Sequence, residues 1–265
     1  MTASFFSESF FQKQLQNILS PDSISLTVHR EIDSTSTELM RQLAAGGHAG
    51  CVVVSQRQTG GRGRSGNQWH SDTTENLYIS AAFQITGEIA ERLPLVPLAA
   101  GIAASSALRA TGISDVVLKW PNDLLQRRKK VGGILCETPG IENDSAIAVV
   151  GLGLNLGKQS FPEELSNIAS YLDYSKTPTP QTHLREQISA HWICELHQWC
   201  SRLMEGKTAE LIDTWKMHCE PFGRRVKVGD VVGETIDLHE SGRLLVKQDG
   251  GDICTIPGGM VESLD

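Results

Sequence analysis

Four glycines and two arginines crowd one short stretch, Gln58-Thr59-Gly60-Gly61-Arg62-Gly63-Arg64-Ser65-Gly66-Asn67-Gln68-Trp69, directly after the apolar run Cys51–Ser55. A backbone this bare lets a ligand approach closely, and arginines at i and i+2 supply permanent charge on forked donors. That combination suits a carboxylate or phosphorylated ligand. A solvated surface turn is the plainer reading, but such glycine density costs chain entropy with no packing return. RGG-type RNA arms are long, repeated and disordered, whereas this loop sits between strands. A Walker loop would need a closing G-K-[ST], which is missing.

Lys119-Trp120-Pro121-Asn122-Asp123 ends a second predicted strand and leads to the basic run Arg127-Arg128-Lys129-Lys130 and the apolar VGGILCE. Most of that run reads as a hairpin tip in water. Lys130 differs, because period-2 alternation along the Gly-Gly strand places its ammonium at the sheet end, facing a cleft. Gly151-Leu152-Gly153-Leu154-Asn155-Leu156-Gly157 follows the strand AIAVV. Its G-x-G-x-x-x-G spacing departs from the dinucleotide fingerprint, so it reads as a glycine-rich turn presenting Asn155 as a polar contact. His191, Cys194, His197 and Cys200 recur every three residues in a predicted helix. Each step falls about 60° short of a turn, so the four spiral and cannot share a metal; a core stripe with exposed ends is expected. Trp192, Trp199 and Trp215 read as packing. No Ser-His-Asp set or paired carboxylates stand out, which removes hydrolases from the leading group.

The elements that must carry these residues follow from pattern. Residues 1–24 are expected to be an extension packed on the body, with Phe10, Phe11, Leu15, Ile18 and Leu19 on one helical face that Pro21 and Asp22 end. Ser34-Thr35-Ser36-Thr37 is a cap cluster, with Thr35 and Glu38 at capping-box spacing and Gly46 as the stop. Strands are predicted at Cys51–Ser55, Leu77–Phe83, Val116–Trp120, Ile134–Glu137 and Ala146–Leu152, and helices at Pro94–Thr111, 183–204 and 208–218. From Pro221 short alternating runs broken at Gly-Asp, Ser-Gly and Asp-Gly-Gly predict a meander of four or five strands, a small SH3-like barrel over 221–265.

The 265 residues carry 24 Lys+Arg against 31 Asp+Glu, net −7, with 40% hydrophobic and 21% charged residues. These are the proportions of a globular protein with one large domain, here 25–220, and a small appendage. The window 56–70 holds three arginines and no acid; 119–130 holds five basic residues and Asp123, so together they carry +7. Two cationic islands on an acidic chain point to a focused anion site and away from a general nucleic-acid binder. Six dispersed cysteines read as reduced thiols of a cytoplasmic protein, and the start, MTASFFSESFFQKQLQNIL, has neither a signal-peptide pattern nor a membrane span.

The loop GRGRSGNQW, KWPND, K-V-G-G-I-L-x-E and the G-L-G-L-N-L segment, in this order from Ile32 to Asn155, resemble the biotin–protein ligases, and PGGM-x-E-S-L resembles their terminal barrel. The resemblance implies an α+β fold similar to the class II aminoacyl-tRNA synthetase core: a mixed, largely antiparallel sheet with helices on one side, plus the SH3-like barrel. It implies that biotin and ATP, the latter with Mg2+, react to biotinyl-5′-AMP, which then acylates a lysine on the biotin carrier domain of acetyl-CoA carboxylase. By the same resemblance Ser34, Thr35, Ser36 and Gln58 contact the biotin rings. Arg62 and Arg64, with the Gly61 and Gly63 backbone, hold the carboxylate and α-phosphate, and Lys130 steadies both. Lys119, Asn122 and Asn155 belong to the ATP side, as does Trp69, which seals the loop. Asp123 is assigned the orientation of the incoming lysine, which must attack as a neutral amine.

Two positions depart from the family pattern: Ser36 stands where Asn is usual, and His70 where an aromatic such as Phe is common. The winged helix that precedes the ligase in repressor members has no counterpart in the first 24 residues, so no DNA partner is expected. Some members dimerise through the sheet edge, which leaves a homodimer among the expected assemblies. A lipoate or octanoate ligase of the same fold is the nearest alternative function. A non-enzymatic RNA binder using the GRGR loop, or an inactive scaffold for carboxylase subunits, belongs to other classes and predicts no ATP turnover.

Overall fold

The computed structural model describes residues 5–16, 24–71, 73–175 and 183–265. A mixed sheet runs through the chain's centre in the order β1-β2-β3-β8-β6-β5-β4, with β7 (Ile141–Glu142) paired to β8. Its strands are β1 (Ser25–His29), β2 (Cys51–Ser55), β3 (Leu77–Thr86), β4 (Val116–Lys119), β5 (Asp123–Gln126), β6 (Lys129–Glu137) and β8 (Ser145–Leu154). Only β1 and β2 pair in parallel, through the crossover helix α2 (Thr35–Ala44); the other pairings are antiparallel.

Period-2 alternation sorts the two faces of this sheet. Val52 and Val54 of β2 and Leu77, Ile79, Ala81, Phe83 and Ile85 of β3 enter the main core. There they meet α4 (Val96–Ala110), α5 (Leu184–Met204), α6 (Thr208–His218) and the N-terminal α1 (Glu8–Gln16). Cys51, Val53, Ala82 and Val149 point the other way and pack beneath Leu39 of α2. Helices therefore lie on both faces, not on one. The crossover from β1 to β2 puts α2 over half of the second face and leaves the other half for a site.

Helix α4 begins at Val96, two residues after the predicted start, because Leu93–Leu95 forms a 3-10 turn preceded by the short α3 (Ile89–Arg92). The stretch Ile89–Ala110 is long and apolar enough to cross a membrane, yet two thirds of it is buried. Its alanines bring α5 close enough for Trp192 Nε1 to donate to Ala100 O at 3.3 Å. Trp199 and Trp215 are buried in the same core. Cys194 and Cys200 are also buried, and His197 is the exposed member of that stripe, because α5 is covered on more than one side. In the predicted extension Phe6, Phe11 and Leu15 are buried against α5, each contributing about 1.5–3 kcal/mol. Ile18, Leu19, Pro21 and Asp22 lie outside the described residues.

The C-terminal strands form a second antiparallel sheet, ordered β12-β11-β10-β9-β13: β9 (Arg225–Val228), β10 (Val231–Leu238), β11 (Leu244–Gln248), β12 (Ile253–Ile256) and β13 (Glu262–Ser263). It shares the main core through Val226, Val228, Leu238 and Leu244. Trp120 Nε1 joins the two sheets by donating to Gly242 O at 2.9 Å.

Candidate active site

The uncovered half of the second face is paved with small residues. Gly133 of β6 pairs with Gly153 of β8, Leu135 with Gly151, and Gly151 in turn with Ser80 of β3. The predicted glycine-rich turn is therefore strand: β8 continues to Leu154. The glycines are there for close approach, since a Cβ on Gly151 would stand 2.8 Å from Ser36 Oγ and one on Gly153 would stand 2.6 Å from Trp69 Cε2.

At one end of this floor sits a buried hydroxyl–amide network. The N-cap of α2 is Ser34, whose side chain accepts from Thr37 N; the predicted box on Thr35 and Glu38 does not form, because Thr35 already lies inside the helix with its side chain turned to the sheet. Thr35 Oγ1 and Ser36 Oγ meet Ser80 Oγ at 2.8 and 3.0 Å. Gln58 Oε1 accepts from Thr35 N at 2.8 Å and from Thr35 Oγ1 at 3.2 Å, while Gln58 Nε2 donates to Ser71 Oγ at 3.1 Å. Asp33 supports this end by accepting from Ser34 N, and the Arg41 guanidinium beside it holds the Asp33 carboxyl below the usual range.

At the other end are the charges. Lys130 Nζ lies 2.6 Å from Asp123 Oδ1 and 5.6 Å from the centre of the Trp69 ring. Strict alternation would put Lys130 on the face opposite Gly133. The pairing of β5 with β6 shifts between Leu124 and Leu125, leaving Val131 as an extra residue, and this bulge brings Lys130 onto the face of Gly133 and Asp123. The segment 168–170 braces it: Lys130 N donates to Ile168 O at 2.7 Å and Ser170 N to Lys130 O at 2.8 Å.

The arginine loop crosses between the two ends. Trp69 N donates to Gly61 O and Gly63 N to Asn67 O, with a 3-10 turn over Arg64–Gly66 at its tip. Arg64 Nη1 donates to Asn122 Oδ1 at 3.2 Å, and Asn122 is itself held by Nδ2 donating to Ile134 O at 2.7 Å. Arg62 pairs with Glu137 at the far end of β6. Trp69 lies across Gly133 and Gly153. Beneath residues 62–67, a recess of about 370 Å³ opens against Leu135, Cys136 and Glu137. Burial and the neighbouring Glu137 charge push the Cys136 thiol up to about 12, so it stays protonated and is no nucleophile.

Two sequence-predicted residues stand at the margin of this set. Lys119 ends β4 directly opposite Asp123 and borders a cavity of about 150 Å³ between β4, α6 and the C-terminal sheet, together with Trp120, Arg128 and Phe222. Asn155 is buried, with Nδ2 donating to Ser170 O at 2.9 Å, so it ties down the brace behind Lys130. Ser80 and Glu137 are in the site and were not anticipated; a serine within the apolar run LYISAAF is the signal that marks the first.

The Biotin/lipoate A/B protein ligase family matches residues 28–155, the span from the edge strand to the end of the glycine floor. The chain is 30% identical over 233 residues to the bifunctional ligase/repressor BirA of Escherichia coli, covering 86% of this chain and 71% of that one. The chain belongs to this ligase family. It is also 29% identical over 247 residues to the biotin–[acetyl-CoA-carboxylase] ligase of Mycobacterium tuberculosis, 89% of this chain and 88% of that relative. Among solved structures it is similar to the biotin protein ligase from Aquifex aeolicus in complex with biotin and ATP, with a TM-score of 0.72, 29% identity, and coverage of 90% and 98% of the two chains.

Proposed function

We propose that this protein joins biotin to a lysine of a biotin carrier domain, such as that of acetyl-CoA carboxylase, at the expense of ATP. The observation that carries the reading is the placement of two unlike ends on one small-residue floor. The hydroxyl–amide network of Thr35, Ser36, Ser80 and Gln58 offers fixed donors and acceptors to a ureido ring. Arg64 and Lys130 offer cations to a carboxylate and an α-phosphate at the other end.

In the first step a biotin carboxylate oxygen attacks the α-phosphorus of Mg-ATP, the bond to the β-phosphate oxygen breaks, and pyrophosphate leaves with its charge. Arg64 and Lys130 meet the charge that builds on the phosphoryl oxygens, and the loop excludes water from the mixed anhydride. In the second step the acceptor's neutral ε-amine attacks the biotinyl carbonyl carbon, the bond from that carbon to the phosphate oxygen breaks, AMP leaves with its charge, and the proton shed by the nitrogen passes to water. Asp123 accepts from Lys130 in the free protein. Once Lys130 turns to the phosphate, the Asp123 carboxylate is free to receive and orient the incoming amine. Asp123→Asn is therefore expected to form adenylate and to slow its transfer; transfer at the wild-type rate would remove this role. Magnesium enters with ATP as substrate. The class II synthetase-like and SH3-like descriptions of the two sheets belong to this reading, the second resting on the number and order of the C-terminal strands.

The decisive experiment incubates the protein with labelled biotin, Mg-ATP and a carrier domain, with lipoate as the competing acid. Covalent label on the carrier, and pyrophosphate exchange driven by biotin at micromolar levels, support the reading. Exchange driven by lipoate alone would reassign the substrate, and no exchange with either acid would overturn it.

A further inference from the structure

Glu137 is the acid that adenylate chemistry has no use for. It ends β6 on the site face, two positions beyond Leu135 and four beyond Gly133, and its half-buried carboxylate meets Arg62. Standing alone beside an anion site, it would repel both a carboxylate and a phosphate. Its position makes sense through what it holds.

The arginine loop is fastened to the sheet at three separated places. Arg64 is bonded to Asn122 near Asp123 and Lys130, Trp69 lies across Gly133 and Gly153, and Arg62 is paired with Glu137. From Lys130 to Glu137 the strand advances seven positions, about 20 Å at ~3.3 Å per residue with one bulge. Arg64 and Trp69 sit against groups a substrate would engage. Glu137 is fastened to the loop with no group of that kind between them.

Resting on the ligase reading above, we propose that Glu137 is a positioning residue that anchors the leading end of the loop through the Arg62 side chain and so keeps the adenylate enclosed until the acceptor arrives. Arg62 then serves the ligand through its backbone N–H, its guanidinium being occupied by Glu137, and Arg64 is the arginine whose charge faces the reaction. The pair is partly exposed, 40% and 29% for the two side chains, so its effect is modest. Exposed pairs contribute about 0.2–1 kcal/mol, which is roughly a 1.4- to fivefold change in the closed population.

The test compares wild type, Glu137→Gln and Glu137→Asp in two measurements. One is the rate at which preformed biotinyl-adenylate is released, relative to its rate of formation. The other is trypsin cleavage after Arg62 and Arg64 in the unliganded protein. Glu137→Gln is expected to raise both by about 1.4- to fivefold, with Glu137→Asp nearer wild type because it keeps the charge. Release and cleavage at wild-type levels in a folded Glu137→Gln variant overturn the anchor. Faster release with unchanged cleavage also overturns it, placing Glu137 at the bound adenylate instead. If wild type makes no adenylate from biotin and Mg-ATP, the ligase reading fails, and the cleavage comparison alone still decides whether Glu137 anchors the loop.

Discussion

Replacing Ser80 by alanine tests whether the hydroxyl network is a binding device or only a packing one. Gln58 Oε1 can only accept, so Thr35 Oγ1 donates to it, Ser80 donates to Thr35, and Ser36 donates to Ser80. The chain of donors has one direction, and Ser80 is its middle link. Alanine breaks two bonds at a position that is 0% exposed and leaves the Ser36 hydroxyl without its acceptor. At about 0.5–1.5 kcal/mol for each net bond, with Thr35 keeping Gln58, the loss is about 2 kcal/mol. With a urea slope of about 2 kcal/mol/M the unfolding midpoint falls by roughly 1 M. The same change slackens the groups set to meet the ureido ring, so the KM for biotin in pyrophosphate exchange rises about tenfold, the equivalent of ~1.4 kcal/mol, while the KM for ATP stays near wild type. Reduced stability with an unchanged biotin KM would refute the placement of the ring at this end of the floor.

Lys130→Ala and Arg64→Ala are each expected to lower biotin-dependent pyrophosphate exchange by about 10²–10³, roughly 2.7–4 kcal/mol, with little change in the urea midpoint; an unaltered exchange rate in both would defeat the assignment. Gly153→Ala puts a methyl 2.6 Å from Trp69 Cε2 and so lifts the indole from the floor, which should raise the KM for both substrates and expose the loop to trypsin. Burial, with the Arg109 charge behind it, holds His218 below its usual 6.5. An unfolded His218 therefore takes up a proton below about 6.5 that the folded one refuses, so stability falls as pH drops through that value, and His218→Gln should flatten this slope in urea titrations between pH 7 and 5.

The sequence made the site's members visible more readily than their facing. Glycine density marked the loop, and the strand carrying Lys130 was recognisable from VGGILCE, yet it begins five residues earlier than predicted because the basic hairpin tip belongs to it. Its extra Val131 is what turns Lys130 toward Asp123, and a bulge is set by how two strands pair, which one strand's pattern does not contain. The glycine segment at 151–157 misled for the reverse reason. Gly151 and Gly153 serve neighbours from α2 and the arginine loop, more than 80 residues away in sequence, so nothing local separates a turn from a close-packed strand. Glu137 was hidden in the same way, as a strand-end acid whose partner is 75 positions upstream.

The charge distribution changes meaning once the pairs are known. Of the basic residues in the two cationic windows, Arg57 is matched by Glu31, Arg62 by Glu137, Arg127 by Asp173 and Lys130 by Asp123. Arg57 and Arg127 make their pairs on the exposed surface, and Arg128 lines the cavity beside the C-terminal sheet. The seven net charges therefore do not converge on one anion. Arg64 meets no carboxylate among the described residues; its partner is the neutral amide oxygen of Asn122. A neutral partner is surrendered to an anion more cheaply than a charged one, so Arg64 is poised to engage ligand first. On the proposed mechanism Lys130 must leave Asp123 to follow, and that exchange would leave a bare carboxylate beside the newly formed adenylate. An acceptor lysine arriving there as an ammonium would find both the counter-charge that Lys130 has given up and a base for the proton it must lose before it attacks, so the first half-reaction would prepare the second.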